Sequence, residues 1–324
     1  MTHDNVKPRV LAVVGPTASG KTALAIALAQ ALGGEIVSCD SMQLYRGMDI
    51  GTAKPTPSEQ AAAKHHMIDV LDPEDAYSCA DYSRDAQAKI EEITQRGALP
   101  ILCGGTGLYL DGVLLGGSFE DTPSDPSVRE RLQAVAADEG GADALYARLC
   151  EVDPDSAAAI HKNNVKRVIR ALEIYECTGT PKSVLDRASR ERGMRYDASV
   201  IGLRFHERAT LYERIDRRID LMLAEGLVPE IERLLAAGVF ERSPTAAQAI
   251  GYKELLGALQ GTCPMEEAVE QLKLATRHYA KRQLTWFSAK PYVHWLWADD
   301  ENGHMRSLDE LCAEAVALCR AGAP

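Results

Sequence analysis

The sequence predicts an α/β fold, a parallel sheet flanked by helices, with an all-helical domain inserted into it. Three observations carry this expectation. Short apolar runs alternate with helical patterns through the first third of the chain, as in a parallel sheet. The first run, Val10-Leu11-Ala12-Val13-Val14, feeds into Gly15-Pro16-Thr17-Ala18-Ser19-Gly20-Lys21-Thr22, a complete G-x-x-x-x-G-K-[ST] loop that opens a helical stretch, Ala23–Leu32. From about Phe119 to Tyr196 strand signals vanish, and helical patterns follow one another, punctuated by Gly140, Gly141 and Gly179.

The loop makes the core P-loop NTPase-like, with 1–118 and 197–324 as one domain and 119–196 as the helical insertion. Strands are expected at Arg9–Val14, Glu35–Ser38, Met67–Leu71 and Leu99–Cys103. Helices are expected at Lys21–Leu32 and at Cys79–Arg96, the latter with Ser78 as N-cap and Gly97 at its end. Right-handed crossovers bring the carboxyl ends of the strands to one edge, where open α/β sheets bind ligands. Asp-Thr-Pro-Ser-Asp-Pro at 121–126 breaks the chain, and the insertion reads as helices Ser127–Glu139, Ala142–Glu151, Pro154–His161 and Val165–Thr178. A strand at Ser199–Phe205 returns to the core. Helices His206–Glu225, Pro229–Ala237, Thr245–Gln260 and Met265–Ala289, a strand Tyr292–Trp297 and a helix Ser307–Arg320 complete the chain.

Composition excludes several classes. The 324 residues are 46% hydrophobic and 26% charged, and no apolar run approaches the roughly 18 residues of a membrane helix. The polar start, Met1 to Arg9, is no secretory signal. Eight scattered cysteines never form C-x-x-C, which implies a reduced, cytoplasmic protein without structural zinc. A net charge of −11 argues against indiscriminate nucleic-acid binding. Nine basic and four acidic residues between His161 and Arg195 nevertheless leave that stretch at +5. Lys273 to Lys290 holds five basic residues and no acid, again +5. Two basic stripes on an acidic body suit a partner of definite shape, although solvated helix faces would look the same.

In the loop, Gly15 and Gly20 let the backbone wrap an anion at a helix mouth, Lys21 adds charge, and the Thr22 hydroxyl is placed to ligate Mg²⁺. Asp40 and Ser41 end the second strand beside this loop. Asp40 there can hold Mg²⁺ through water, act as a general base, or merely cap the next turn. Gly104-Gly105-Thr106-Gly107 ends the fourth strand, and three glycines there imply a close backbone approach, with Thr106 toward the ligand. Arg214 and Arg218 are i,i+4 neighbours suited to gripping a diphosphate, unless Glu213, Asp216 and Asp220 neutralise them. Trp286, Phe287, Trp295 and Trp297 read as core, and His65, His66 and Asp69 lack a third metal ligand at sensible spacing.

Gly15–Thr22, Asp40-Ser-Met-Gln-Leu-Tyr-Arg-Gly-Met-Asp-Ile-Gly-Thr-Ala-Lys-Pro55 and Gly104–Tyr109 together resemble the tRNA dimethylallyltransferases, bacterial enzymes that modify the adenosine 3′ of the anticodon. So do Asn164–Glu173, Ala249–Lys253 and the run from Arg277 through Lys281 to Trp286. The matches follow family order from residue 10 to 297. The resemblance implies transfer of a dimethylallyl group from dimethylallyl diphosphate to the exocyclic amine of that adenosine, at position 37, with Mg²⁺. Asp40 would be the general base, assisted by Thr106 and Lys21. Gly15, Thr17, Ala18, Ser19, Gly20, Lys21 and Thr22 would hold the diphosphate with Arg214 and Arg218. The tRNA anticodon stem-loop would meet Asp40, Ser41, Met42 and Gln43; Asn164, Val165, Lys166, Arg167 and Val168; Ala247, Gln248, Ala249, Ile250, Gly251 and Tyr252; and Arg277, Lys281 and Arg282. A monomer is expected. A P-loop kinase is the rival that the core alone would support.

Overall fold

The computed structural model describes residues 7–115 and 125–321. Strand β1 (Arg9–Val14) leads through the P-loop into α1 (Lys21–Leu32) and β2 (Gly34–Ser38). Next come α2 (Pro57–Ala62), β3 (His65–His66), α3 (Cys79–Gln95), β4 (Leu99–Gly104) and α4 (Gly107–Leu115). Helices α5 (Pro126–Ala137), α6 (Gly141–Val152), α7 (Pro154–Ala159), α8 (Val165–Thr178) and α9 (Lys182–Glu191) precede β5 (Asp197–Arg204). There follow α10 (Arg208–Glu225), α11 (Leu227–Ala236), α12 (Val239–Arg242), α13 (Pro244–Ala247) and α14 (Tyr252–Leu259). The last elements are α15 (Met265–Ser288), β6 (Val293–Trp297) and α16 (Leu308–Ala321).

The six strands form one parallel sheet in the order β3-β2-β4-β1-β5-β6. Strand β1 is buried from Val10 to Val14, as a central strand covered on both faces must be. One face packs Leu11, Val13, Ile101 and Leu203 against Leu24 and Leu28 of α1 and Leu311 and Ala315 of α16. A second core joins Ile215 and Ile219 of α10, Ile231 of α11, Leu255 of α14 and Leu272 of α15 to Ala18, Tyr45 and Met48 of the loops above the sheet. The order sets β1 between β4 and β5, so the P-loop, the Gly104 turn and the end of β5 share one edge.

The chain divides into two compact units, Met1–Leu110 with Tyr196–Pro324, and Asp111–Arg195. The expected boundary at 118/119 lies outside the described residues, as does most of the 121–126 break. The second unit packs Leu132, Leu145, Leu149, Val168 and Leu172 into its own core. Its fully buried Glu173 is held by Arg129 and Arg170, each at 2.9 Å, and Glu176 by Arg131 and Arg148.

The structure departs from expectation in three places. Strand β3 stops at His66, not running on from Met67 to Leu71, because Met67 and Asp69 take left-handed backbone, φ 59° and 55°. The expected helix Thr245–Gln260 is broken at Gln248–Gly251, where Gly251 at φ +100° turns the chain. Helices α2, α4, α9 and α12 have no counterpart in the expected elements, although Thr56-Pro57-Ser58-Glu59 carries a full capping box with proline at N1.

Candidate active site

A cavity of about 280 Å³ opens at the carboxyl edge of the sheet, within the first unit. Thr17, Ala18, Lys21 and Thr22 of the P-loop form one wall. Gly15 is needed there: at φ +144° a Cβ would stand 2.9 Å from the Leu203 carbonyl. Ala18 holds left-handed backbone without being glycine, φ 62°, a strain of about 1 kcal/mol or more of the kind concentrated at functional loops. The first N–H groups of α1 lack intrahelical acceptors and open at this wall. Ser19 is buried, its hydroxyl unpartnered, and is absent from the wall, so its side chain does not share the placement of Thr17 and Thr22.

The two expected arginines separate. Arg218 lines the cavity, whereas Arg214 donates Nε–H to the Ala18 carbonyl at 2.9 Å and so braces the strained loop from outside. Arg217 is exposed. Of the three acids expected as neutralising partners, Asp216 pairs with Arg277 and Asp220 with Lys273 of α15, the latter at 2.9 Å, while Glu213 is exposed. Arg218 therefore forms no ion pair among the described residues. Desolvation pushes the Arg218 guanidinium below its usual range, Asp40 opposes that, and Arg214 adds to it. Burial likewise pushes the Lys21 ammonium down, helped by Arg218 and opposed by Asp40. Two desolvated cations thus face one carboxylate, and such a cavity favours an anion.

Asp40 belongs to this wall and also caps its own turn, Oδ1 accepting the Met42 N–H at 3.0 Å. The turn cap expected of Asp40 is thus present, on a side chain that also lines the cavity. Thr106 is not part of the cavity wall; its hydroxyl accepts the Ser41 N–H at 3.1 Å and so fixes the Asp40 turn. The close approach expected of the glycines is real, since a Cβ on Gly104 would stand 2.0 Å from the Cys39 carbonyl oxygen. Gln43 lines the cavity but is tied down: Ser38 Oγ donates to Oε1 at 2.9 Å, and Nε2 donates to the Ala53 carbonyl at 3.1 Å. Apolar side chains of Ile215, Ile219, Met222 and Leu272 close another side. Gln248, Ala249, Ile250 and Gly251 reach the cavity because the helix breaks there.

Three residues went unnoticed in the sequence. Tyr279 and Gln283, i,i+4 on α15, both line the cavity, and burial near Asp40 raises the Tyr279 phenol. Glu230, buried on α11, accepts the N–H groups of Asp49, Ile50 and Gly51 at 2.8–3.0 Å and the Tyr252 hydroxyl at 2.7 Å. No motif spacing links 230 to 51, so only the fold could reveal this clamp. Glu230→Ala strands these donors and is expected to cost about 3 kcal/mol, read as a lower urea midpoint, with Glu230→Gln costing less.

Several expected contacts fall elsewhere. Val168 is 1% exposed in the core of the second unit, and Tyr252 is fully buried, so neither side chain offers a surface. Arg277 is committed to Asp216. Lys281 and Arg282 of α15, and Asn164, Lys166 and Arg167 of the second unit, are exposed. His65 lines the cavity with Nδ1 bound to the Ala63 carbonyl, His66 meets Glu35 at 2.6 Å, and Asp69 meets Lys54 at 2.5 Å. Of the four aromatic residues, Phe287 is buried, and Trp297 stacks on His206 with Arg204 over its ring.

Thr22 and Asp40 offer one hydroxyl and one carboxylate to the same cavity. No group of three His, Cys, Asp or Glu side chains able to hold a metal occurs among the described residues. This sparse set of hard oxygens fits Mg²⁺, which keeps waters and shares substrate phosphate oxygens, better than a metal needing a protein cage.

Known proteins resemble this chain over most of its length. Residues 43–290 match the family model described as IPP transferase. A tRNA dimethylallyltransferase of Bacillus subtilis (strain 168) is 51% identical over 90% of this chain and 91% of its own length. The crystal structure of a tRNA isopentenylpyrophosphate transferase from Staphylococcus epidermidis superposes with a TM-score of 0.70 at 42% identity, covering 97% of this chain and all of that one. A eukaryotic dimethylallyltransferase acting on tRNA superposes with a TM-score of 0.77 at 30% identity, covering 91% of this chain and 75% of that one. The chain belongs to the IPP transferase family, that of the tRNA dimethylallyltransferases.

Proposed function

We propose that this protein transfers the dimethylallyl group of dimethylallyl diphosphate to the N6 amine of the adenosine at position 37, 3′ of the anticodon, in tRNAs reading codons that begin with U. The observation that carries this reading is the cavity itself: Lys21 and Arg218, both desolvated, beside a single carboxylate and an apolar wall. An anionic head joined to a short apolar tail matches that division.

The P-loop wall and Arg218 hold the diphosphate, and Arg214 keeps Ala18 in place behind it. Thr22 would help to hold Mg²⁺, whose charge would offset that of the leaving group. The bond from the first allylic carbon to the diphosphate oxygen breaks as the adenine nitrogen attacks that carbon. The amine is a poor nucleophile because its lone pair is delocalised, so Asp40 takes its proton as the new bond forms. The base must leave the anticodon stack to reach the cavity, at a cost of a few kcal/mol. Met42 and residues 248–251, which line the cavity, would meet the base in this reading. Thr106 acts by positioning, through Ser41.

Lys281 and Arg282 in the first unit, with Asn164, Lys166 and Arg167 in the second, are the tRNA contacts in this reading. Arg167→Ala is expected to weaken anticodon stem-loop binding several-fold and to lower the slope of log K against log salt by about 1. Fluorescence anisotropy across a KCl series reads both. No described helix is long and apolar enough to cross a membrane, and the reading places the enzyme in the cytoplasm as a monomer.

The test is incubation with dimethylallyl diphosphate, Mg²⁺ and stem-loops carrying adenosine at or beside position 37, followed by mass spectrometry of nuclease fragments. One five-carbon unit on that adenosine supports the reading. Modification elsewhere, or none, removes it.

A further inference from the structure

We propose that Gln283 is a positioning residue whose one side-chain amide locks the P-loop to the acceptor edge of the site; this rests on the function proposed above. Gln283 Oε1 accepts the Thr17 N–H at 2.8 Å, and Nε2 donates to the Gly105 carbonyl at 3.1 Å. The side chain is 4% exposed and lines the cavity. Its two partners belong to opposite halves of the reaction. Thr17 lies in the anion cradle, and Gly105 precedes Thr106, whose hydroxyl holds the Ser41 N–H next to Asp40.

A buried amide is unfavourable unless both its ends are hydrogen-bonded, and a Met or Leu would fill the volume without that requirement. The glutamine is satisfied only at one spacing of P-loop and β4 turn, so it sets the separation of leaving group and base. Gly105 allows the contact, because a Cβ there would stand 1.9 Å from Gln283 Nε2. The amide also occupies the Thr17 N–H, leaving the donor to the N–H groups at the start of α1. Misplacement of reacting groups by about 1 Å costs about 100-fold in rate.

Gln283→Met and Gly105→Ala, in the full-length protein, test the latch from its two sides. Each is expected to lower the single-turnover transfer rate about 100-fold, with stem-loop affinity unchanged. The double variant should be no slower than either single one, because both break the same link. In the ligand-free protein, hydrogen exchange of the peptide containing Thr17 should quicken in Gln283→Met. A folded Gln283→Met with a wild-type rate and wild-type exchange overturns the latch, as do additive losses in the double variant. Wild-type protein that transfers nothing overturns the functional reading instead, and the exchange rates then still decide the latch.

Discussion

Asp40→Asn is expected to lower the rate of prenyl transfer about 1000-fold while stem-loop and diphosphate affinities stay within about threefold of wild type. Asparagine keeps an oxygen where Oδ1 accepts the Met42 N–H, so the turn that carries residue 40 survives. What it loses is the ability to take a proton from the amine. Asp40→Ala loses both, and its additional loss over Asp40→Asn measures the turn alone. Single-turnover kinetics with saturating donor separates chemistry from binding, since the proposed role lies in the chemical step. Near-wild-type turnover of Asp40→Asn would remove Asp40 as the base and leave it as the turn's cap.

Arg218→Met is expected to act on the other substrate and in two directions at once. Diphosphate affinity, read by calorimetry, should fall about 100-fold or more, because a charge-assisted contact in a desolvated wall is lost. The ligand-free protein should melt higher, by about 2 °C, because an unpaired cation no longer has to be kept partly buried. Removing the Arg218 charge also relieves Lys21, whose ammonium Arg218 helps burial to push down. Lower affinity together with a lower melting temperature would mean that Arg218 serves packing and not the anion.

Much of the fold was legible because its signals are local. The P-loop between an apolar run and a helix placed β1 and α1 to the residue, and Ser78 as N-cap marked the start of α3. Positive φ at Met67 and Asp69 was invisible, since Lys54 and the Gln43 carbonyl, which hold Asp69, come from other parts of the sequence. The candidate site divides in the same way. Lys21 and Thr22 open α1 and Asp40 follows β2, positions that motif and topology determine. Choosing among Arg214, Arg217 and Arg218 required the rotation of α10 and the α15 partners of Asp216 and Asp220. Gln283 and Glu230 act across 178 to 266 residues of sequence, on backbone groups that carry no residue identity. Val168 and Tyr252 show the converse error, in which a family motif marks a position whose side chain serves the core.

The central claim is that this P-loop holds a leaving diphosphate and not a phosphoryl donor. Its most direct measurement offers the protein dimethylallyl diphosphate and ATP together with an anticodon stem-loop, and follows both products. The account predicts that RNA gains a five-carbon unit, that one diphosphate is released per transfer, and that added diphosphate competes with the prenyl donor. Phosphoryl transfer or hydrolysis of ATP, with no carbon added to the RNA, would contradict it.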